Sequence, residues 1–183
     1  MLQRCATIGA MKEQRLRVAH SPHVLDCISH SPAQTARIGQ RLGELLGMGD
    51  LVLLLGEFGA GKTHFVKGVA AGLGSEDLVN SPSFVLVNEY RAGVKHDRLT
   101  IYHVDLYRLD DVREVSDIGL DEYVAGDGVC LIEWAERAAD QLPDQRLNII
   151  FSYVSETKRA LRFEPHGPRY EALVAELKRA VVG

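Results

Sequence analysis

The sequence predicts one α/β domain whose mixed parallel and antiparallel sheet is flanked by helices, on three observations. An unbroken aliphatic run, Leu51 to Leu55, leads into the glycine-rich "GEFGAGKT" (56–63) and then into a helical pattern. That strand–loop–helix order is the one a phosphate-binding loop requires. Two pairs of β-rich segments are joined by connections too short for a helical crossover, so each pair must run antiparallel. At 183 residues the chain can bury one real core and is too short for two large ones. The fold class is therefore P-loop NTPase-like, with the antiparallel strands as its distinguishing feature.

The elements follow in order. Ser31-Pro32 combines a helix N-cap with proline at the first helical position. Behind it Ile38, Leu42, Leu45 and Leu46 recur at helical spacing, and Gly47 marks the expected end. Leu51 to Leu55 reads as a strand buried on both faces. Thr63 to Ala71 reads as a helix closed by Gly72 and Gly74. "SFVLVNEY" (83–90) and "LTIYHVDLY" (99–107) form the first antiparallel pair across the polar "RAGVKHDR". A short helical stretch from Asp110 to Ser116 precedes another strand, "GVCLIEW" (128–134). "RLNIIFSYV" and "RALRFEP" flank "SETK" as a second hairpin, and a last helix from Arg169 to Val182 lines up Leu173, Val174, Leu177 and Val181.

Composition narrows the function classes. A formal net charge of -4 opposes a broad nucleic-acid-binding face. No apolar run approaches a membrane span. Cys5, Cys27 and Cys130 are too scattered for a zinc site or a disulfide framework, which points to idle thiols in a reducing cytoplasm. Residues 1–20 carry basic residues but no secretory apolar core. They are expected to be a disordered extension, or to reflect a start placed ahead of Met11, with residues 21–183 forming the P-loop domain.

Gly56, Glu57, Phe58, Gly59, Ala60, Gly61, Lys62 and Thr63 match G-x-x-x-x-G-K-[ST] in full. The glycines let successive N–H groups curl toward phosphate oxygens, and the following helix adds its positive end. Lys62 is placed to reach the β- and γ-phosphates, and Thr63 to ligate Mg²⁺. A second acid should stand at the end of a neighbouring strand, where α/β sheets bind ligands. Glu133 and Asp105 both answer that description, and His64, His103 and Trp134 are ambiguous on spacing alone. No N-K-x-D guanine-reading motif is present, no Arg-rich lid follows the loop, and there is no second domain to drive along a track. An ATP-driven switch fits better than a GTPase, a small-molecule kinase or a motor.

Four blocks, "GEFGAGKT", "SPSFVLVNEY", "IYHVDLYRL" and "LIEW", together with "DIGLDEY", make residues 31–165 resemble the TsaE family. These are bacterial ATPases of tRNA threonylcarbamoyladenosine biosynthesis. The resemblance implies the mixed sheet, ATP and Mg²⁺, and a cytoplasmic helper of TsaD and TsaB that meets tRNA through them. In that family the partner TsaD modifies adenosine 37 of tRNAs reading codons that begin with A, and slow ATP hydrolysis is held to reset the complex. It also implies roles for individual residues. Lys62 and Thr63 serve phosphate and metal, and Glu133 is the second Mg²⁺ ligand. Ser83 stands where the family usually has Thr, in a switch-like segment from Ser81 to Phe84. Asp105 matches the acid of the H-x-D-x-Y-R block, orienting water or holding the metal through water. Trp134 accompanies Glu133, while His64 replaces the usual Thr. Segments near Pro32 to Thr35 and Thr157 to Arg159 approach the nucleotide, so Thr35 and Arg159 join the expected binding residues.

Overall fold

The computed structural model describes residues 24–82, 85–109 and 118–182. Its centre is β2 (Leu51–Leu55), every residue of which is buried. Val52 and Leu54 face one apolar layer, and Leu51, Leu53 and Leu55 face the other. Such two-sided burial explains why this strand lacks polar alternation. The first layer is covered by α1 (Pro32–Gly43), α2 (Lys62–Gly72) and α4 (Pro168–Val182). The second is covered by Leu106, Leu109, Leu120 of the short α3 (Leu120–Val124), and a 3₁₀ turn at Ala135–Ala138.

Seven strands form one sheet in the order β1-β7-β6-β2-β5-β4-β3. β2 pairs in parallel with β5 (Gly128–Glu133) on one side and β6 (Arg146–Tyr153) on the other, and β4 (Thr100–Asp105) pairs in parallel with β5. The outer pairs are antiparallel: β3 (Val87–Arg91) with β4, and β7 (Arg159–His166) with β6 and with β1 (Leu25–Ser29). Both expected hairpins are present, and the predicted mixed sheet is the sheet observed.

Several elements differ from expectation. The strand β1 was not anticipated. Only Leu25 and Ser29 are buried while Ile28 is exposed, so its hydrophobic pattern is weak and the ladder to β7 makes it a strand. The helix α1 ends at Gly43 and not Gly47, because Leu45 and Leu46 close a tight turn whose Gly47 N–H is taken by Asp50 Oδ2 at 2.9 Å. β3 starts at Val87. Ahead of it Val85 and Leu86 turn back onto the Pro82 carbonyl, with Leu86 in the left-handed region at φ 68°. The expected helix over 110–116, residues 1–20 and Cys5 lie outside the described residues.

The helix start at Ser31 is as read. Its Oγ accepts from Gln34 N at 3.2 Å, and the Gln34 side chain takes the His30 N–H at 2.8 Å. α1 then crosses α2 at backbone contact. A Cβ on Gly39 would stand 2.3 Å from the Phe65 carbonyl oxygen, and one on Gly68 would stand 1.9 Å from that of Ala36. This close crossing clamps the helix that begins inside the glycine-rich loop.

At the opposite end of β2, the C-terminal helix is latched. Arg169 donates to both Asp50 carboxylate oxygens, at 3.0 and 2.6 Å, and the buried Leu51 N–H donates to Tyr170 Oη at 2.7 Å. Removing that acceptor leaves a buried donor unpaired, at a cost of about 1–3 kcal/mol. Tyr170→Phe should therefore lower the denaturation midpoint in urea by a corresponding amount with an unchanged slope. Unfolding at the wild-type midpoint would show that the bond contributes nothing.

Candidate functional site

β2 ends at Leu55 and the chain must turn at once, because β6 lies alongside. At Gly56 φ is 139°, and a Cβ there would meet the Phe151 carbonyl oxygen at 2.6 Å, so only glycine fits. Gly61, at φ 99°, then directs the chain into α2. The loop curls around Lys62, whose Nζ donates to the carbonyls of Gly56 at 2.7 Å and Glu57 at 3.1 Å. Burial pushes the Lys62 ammonium below its usual range, against the opposing pull of Glu133 first, then Glu136 and Asp105.

Parallel pairing brings the two acids to the same place. β5 lies between β2 and β4, with Leu54 opposite Glu133 and Asp105 opposite Glu133. Both carboxylates thus stand at the carboxyl end of the sheet, beside the loop. Glu133 is buried. Its Oε1 is 3.5 Å from Thr63 Oγ1 and 3.0 Å from His103 Nε2, and its Oε2 is 4.0 Å from Lys62 Nζ. Asp105, also buried, accepts from the Tyr107 N–H at 3.0 Å, and its own N–H donates to the Leu86 carbonyl at 2.9 Å. Leu86 is thereby tied to the backbone of the residue that carries the acid.

A cleft of about 350 Å³ opens here, lined by Phe58 to His64 of the loop and by Ser81, Asp105, Tyr107, Glu133 and Trp134. Trp134 adopts the left-handed region at φ 59°, a costly conformation for so bulky a residue. It holds the indole 4.5 Å from Lys62 Nζ and 5.0 Å from the Tyr107 ring. Phe58, 85% exposed, continues the aromatic rim 6.4 Å beyond Tyr107. The sequence reading included Phe58 only as a loop position, and it did not single out Tyr107 at all. The aromatic signal was present in both segments but had no spacing to give it meaning.

The more distant expected residues are placed differently. The Arg159 guanidinium donates to the Gly59 carbonyl at 3.3 Å and to those of Ser155 and Lys158, stacking 4.8 Å from Tyr153, so it ties the last hairpin to the loop. Thr35 sits under the loop, its methyl 4.0 Å from where a Gly61 Cβ would stand. Its hydroxyl is engaged by Ser29 Oγ at 2.7 Å and by the Ser31 carbonyl, and it does not line the cleft. His64 lines the cleft and is exposed. Ser83 lies outside the described residues.

The fold and the sequence are shared with known proteins. The family model described as threonylcarbamoyl adenosine biosynthesis protein TsaE matches residues 29–161. The chain belongs to the TsaE family. A Bacillus subtilis relative named tRNA threonylcarbamoyladenosine biosynthesis protein TsaE is 44% identical over 149 residues, 81% of this chain and 90% of the relative. One of the same name from Treponema pallidum is 44% identical over 135 residues, 74% of this chain and 96% of the relative. The crystal structure of Bacillus subtilis YdiB superposes with a TM-score of 0.75 at 38% identity, covering 88% of this chain and 99% of that one. Among the described residues no helix is long and apolar enough to cross a membrane.

Trp134 is the single tryptophan of this TsaE-family chain, and a cation lies on its ring. A phosphate ligand that draws Lys62 Nζ off the loop carbonyls must move it relative to the indole. Titration with ATP should therefore change tryptophan emission saturably, and Lys62→Ala should remove the change. Constant emission while calorimetry records binding would show that Lys62 does not move.

Proposed function

We propose that this chain hydrolyses ATP in the cytoplasm to support threonylcarbamoylation of adenosine 37 in tRNAs reading A-starting codons. It acts with TsaB and TsaD and resets that complex after turnover, meeting tRNA through it. The observation that carries the reading is the convergence of Lys62, Thr63, Glu133 and Asp105 at one cleft beside a loop whose backbone curls around the lysine. Membership of the TsaE family supplies the biological setting.

The donor set suits Mg²⁺. The ion takes one or two protein oxygens and completes its shell with water and phosphate, so it needs no cluster of carboxylates. Thr63 Oγ1 and Glu133 Oε1, 3.5 Å apart, are hard oxygen donors at the loop mouth, and they would hold it. When bound, Mg²⁺ neutralises charge developing on the phosphate oxygens.

The chain's own groups do the rest. Loop N–H groups and the start of α2 receive the β-phosphate. Lys62 exchanges two carbonyl partners for phosphate oxygens, gaining a charged acceptor where it now has neutral ones. Asp105, held by the Tyr107 N–H, orients water for attack in line with the γ-phosphate. Trp134 and Tyr107 wall the cleft. Partner contact at this rim is what accelerates hydrolysis.

The test is ATP turnover by the purified protein, alone and with the TsaB–TsaD pair from the same source. Turnover should be slow alone and stimulated by the pair. Lys62→Ala and Glu133→Ala should each reduce it by about a hundredfold or more, the scale of removing one preorganised charge-stabilising group. A strain carrying Lys62→Ala should lose the modified adenosine. Intact modification in that strain would reject the proposal.

A further inference from the structure

His103 lies on β4 with no exposed surface, two residues before Asp105, and spacing alone gave it no role. The structure places its Nε2 3.0 Å from Glu133 Oε1, the same oxygen that stands 3.5 Å from Thr63 Oγ1. Its Nδ1 is buried and has no hydrogen-bond partner among the described residues. A hydrogen on Nδ1 would be a buried donor without an acceptor, whereas a hydrogen on Nε2 points at a carboxylate. A bare buried lone pair is the lesser penalty, so the hydrogen belongs on Nε2.

We propose that His103 is a positioning residue that holds the Glu133 carboxylate in the orientation needed to receive a divalent cation beside Thr63. The proposal rests on the reading of Glu133 as a metal ligand. Glu133 sits at the end of β5, where three rotatable side-chain bonds would otherwise let Oε1 turn away from Thr63. A donor on Oε1 removes that freedom, and it does so from inside the core, where the ring itself is fixed. The Tyr90 ring packs 6.4 Å from the imidazole, and β5 pairs His103 directly with Leu131. Oε1 can receive the His103 hydrogen through one lone pair while turning another toward a cation, the arrangement by which an outer donor orients a metal-binding carboxylate. The buried histidine thus acts through Glu133 and touches neither nucleotide nor metal.

The experiment measures Mn²⁺ affinity by electron paramagnetic resonance in the presence of ADP, and ADP affinity without divalent ions by calorimetry. The variants are His103→Leu, His103→Gln and, as control, Glu133→Gln. The Gln amide nitrogen can stand where Nε2 stands and donate to the same oxygen. His103→Leu should weaken Mn²⁺ by about 10–100-fold, the range for losing such an outer partner, with metal-free ADP affinity unchanged. His103→Gln should recover most of the loss. Unchanged Mn²⁺ affinity in His103→Leu, with Glu133→Gln impaired, overturns the role of His103 alone. Equal loss in Leu and Gln, with cooperative melting and metal-free ADP binding also lost, makes the histidine a packing residue and equally overturns it. Unchanged Mn²⁺ affinity in Glu133→Gln removes the metal-ligand reading, and this proposal falls with it.

Discussion

The parallel placement of β5 between β2 and β4 is the constraint on which the site depends. It sets Leu54, Glu133 and Asp105 side by side at one end of the sheet, just where β2 gives way to the loop. A slip of one residue in either pairing would turn Glu133 or Asp105 into an apolar layer. Burial prevents that slip, because Val52 and Leu54 must face one core and Leu51, Leu53 and Leu55 the other. Hydrophobic packing thereby sets the positions of charged groups that contribute nothing to it.

The same packing restrains the loop from below. Gly39 and Gly68 allow α1 and α2 to touch backbone to backbone, and Gly56 lets the loop pass against Phe151 of β6. Asp50, Arg169 and Tyr170 hold the far end of β2 against α4. A loop anchored on these sides needs little reorganisation when an anion arrives. Trp134, left-handed and bulky, lines the cleft, and Leu86, also left-handed, accepts the Asp105 N–H.

Much of this was legible in the chain because the signals are local. The glycine-rich loop has a fixed spacing, β2 is continuously apolar, and Ser31-Pro32 caps a helix with its own atoms. The hairpins follow from connection length, which makes the mixed sheet readable without any tertiary information. β1 was not legible, since its only cause is the hydrogen-bond edge offered by β7. The early end of α1 was also hidden, because Asp50, which receives the Gly47 N–H, is three residues ahead in the connection to β2.

The sequence by itself determined the fold class, the loop and the identity of its lysine and threonine, since motif spacing and hydrophobic period are short-range properties of the chain. Only the tertiary structure decided which groups stand around Glu133. Thr63, Lys62 and His103 are separated from it by 70, 71 and 30 residues, and no periodicity links them. Their meeting is a consequence of strand order and register. Those in turn are set by which apolar faces can be buried together, a condition satisfied only by the folded whole.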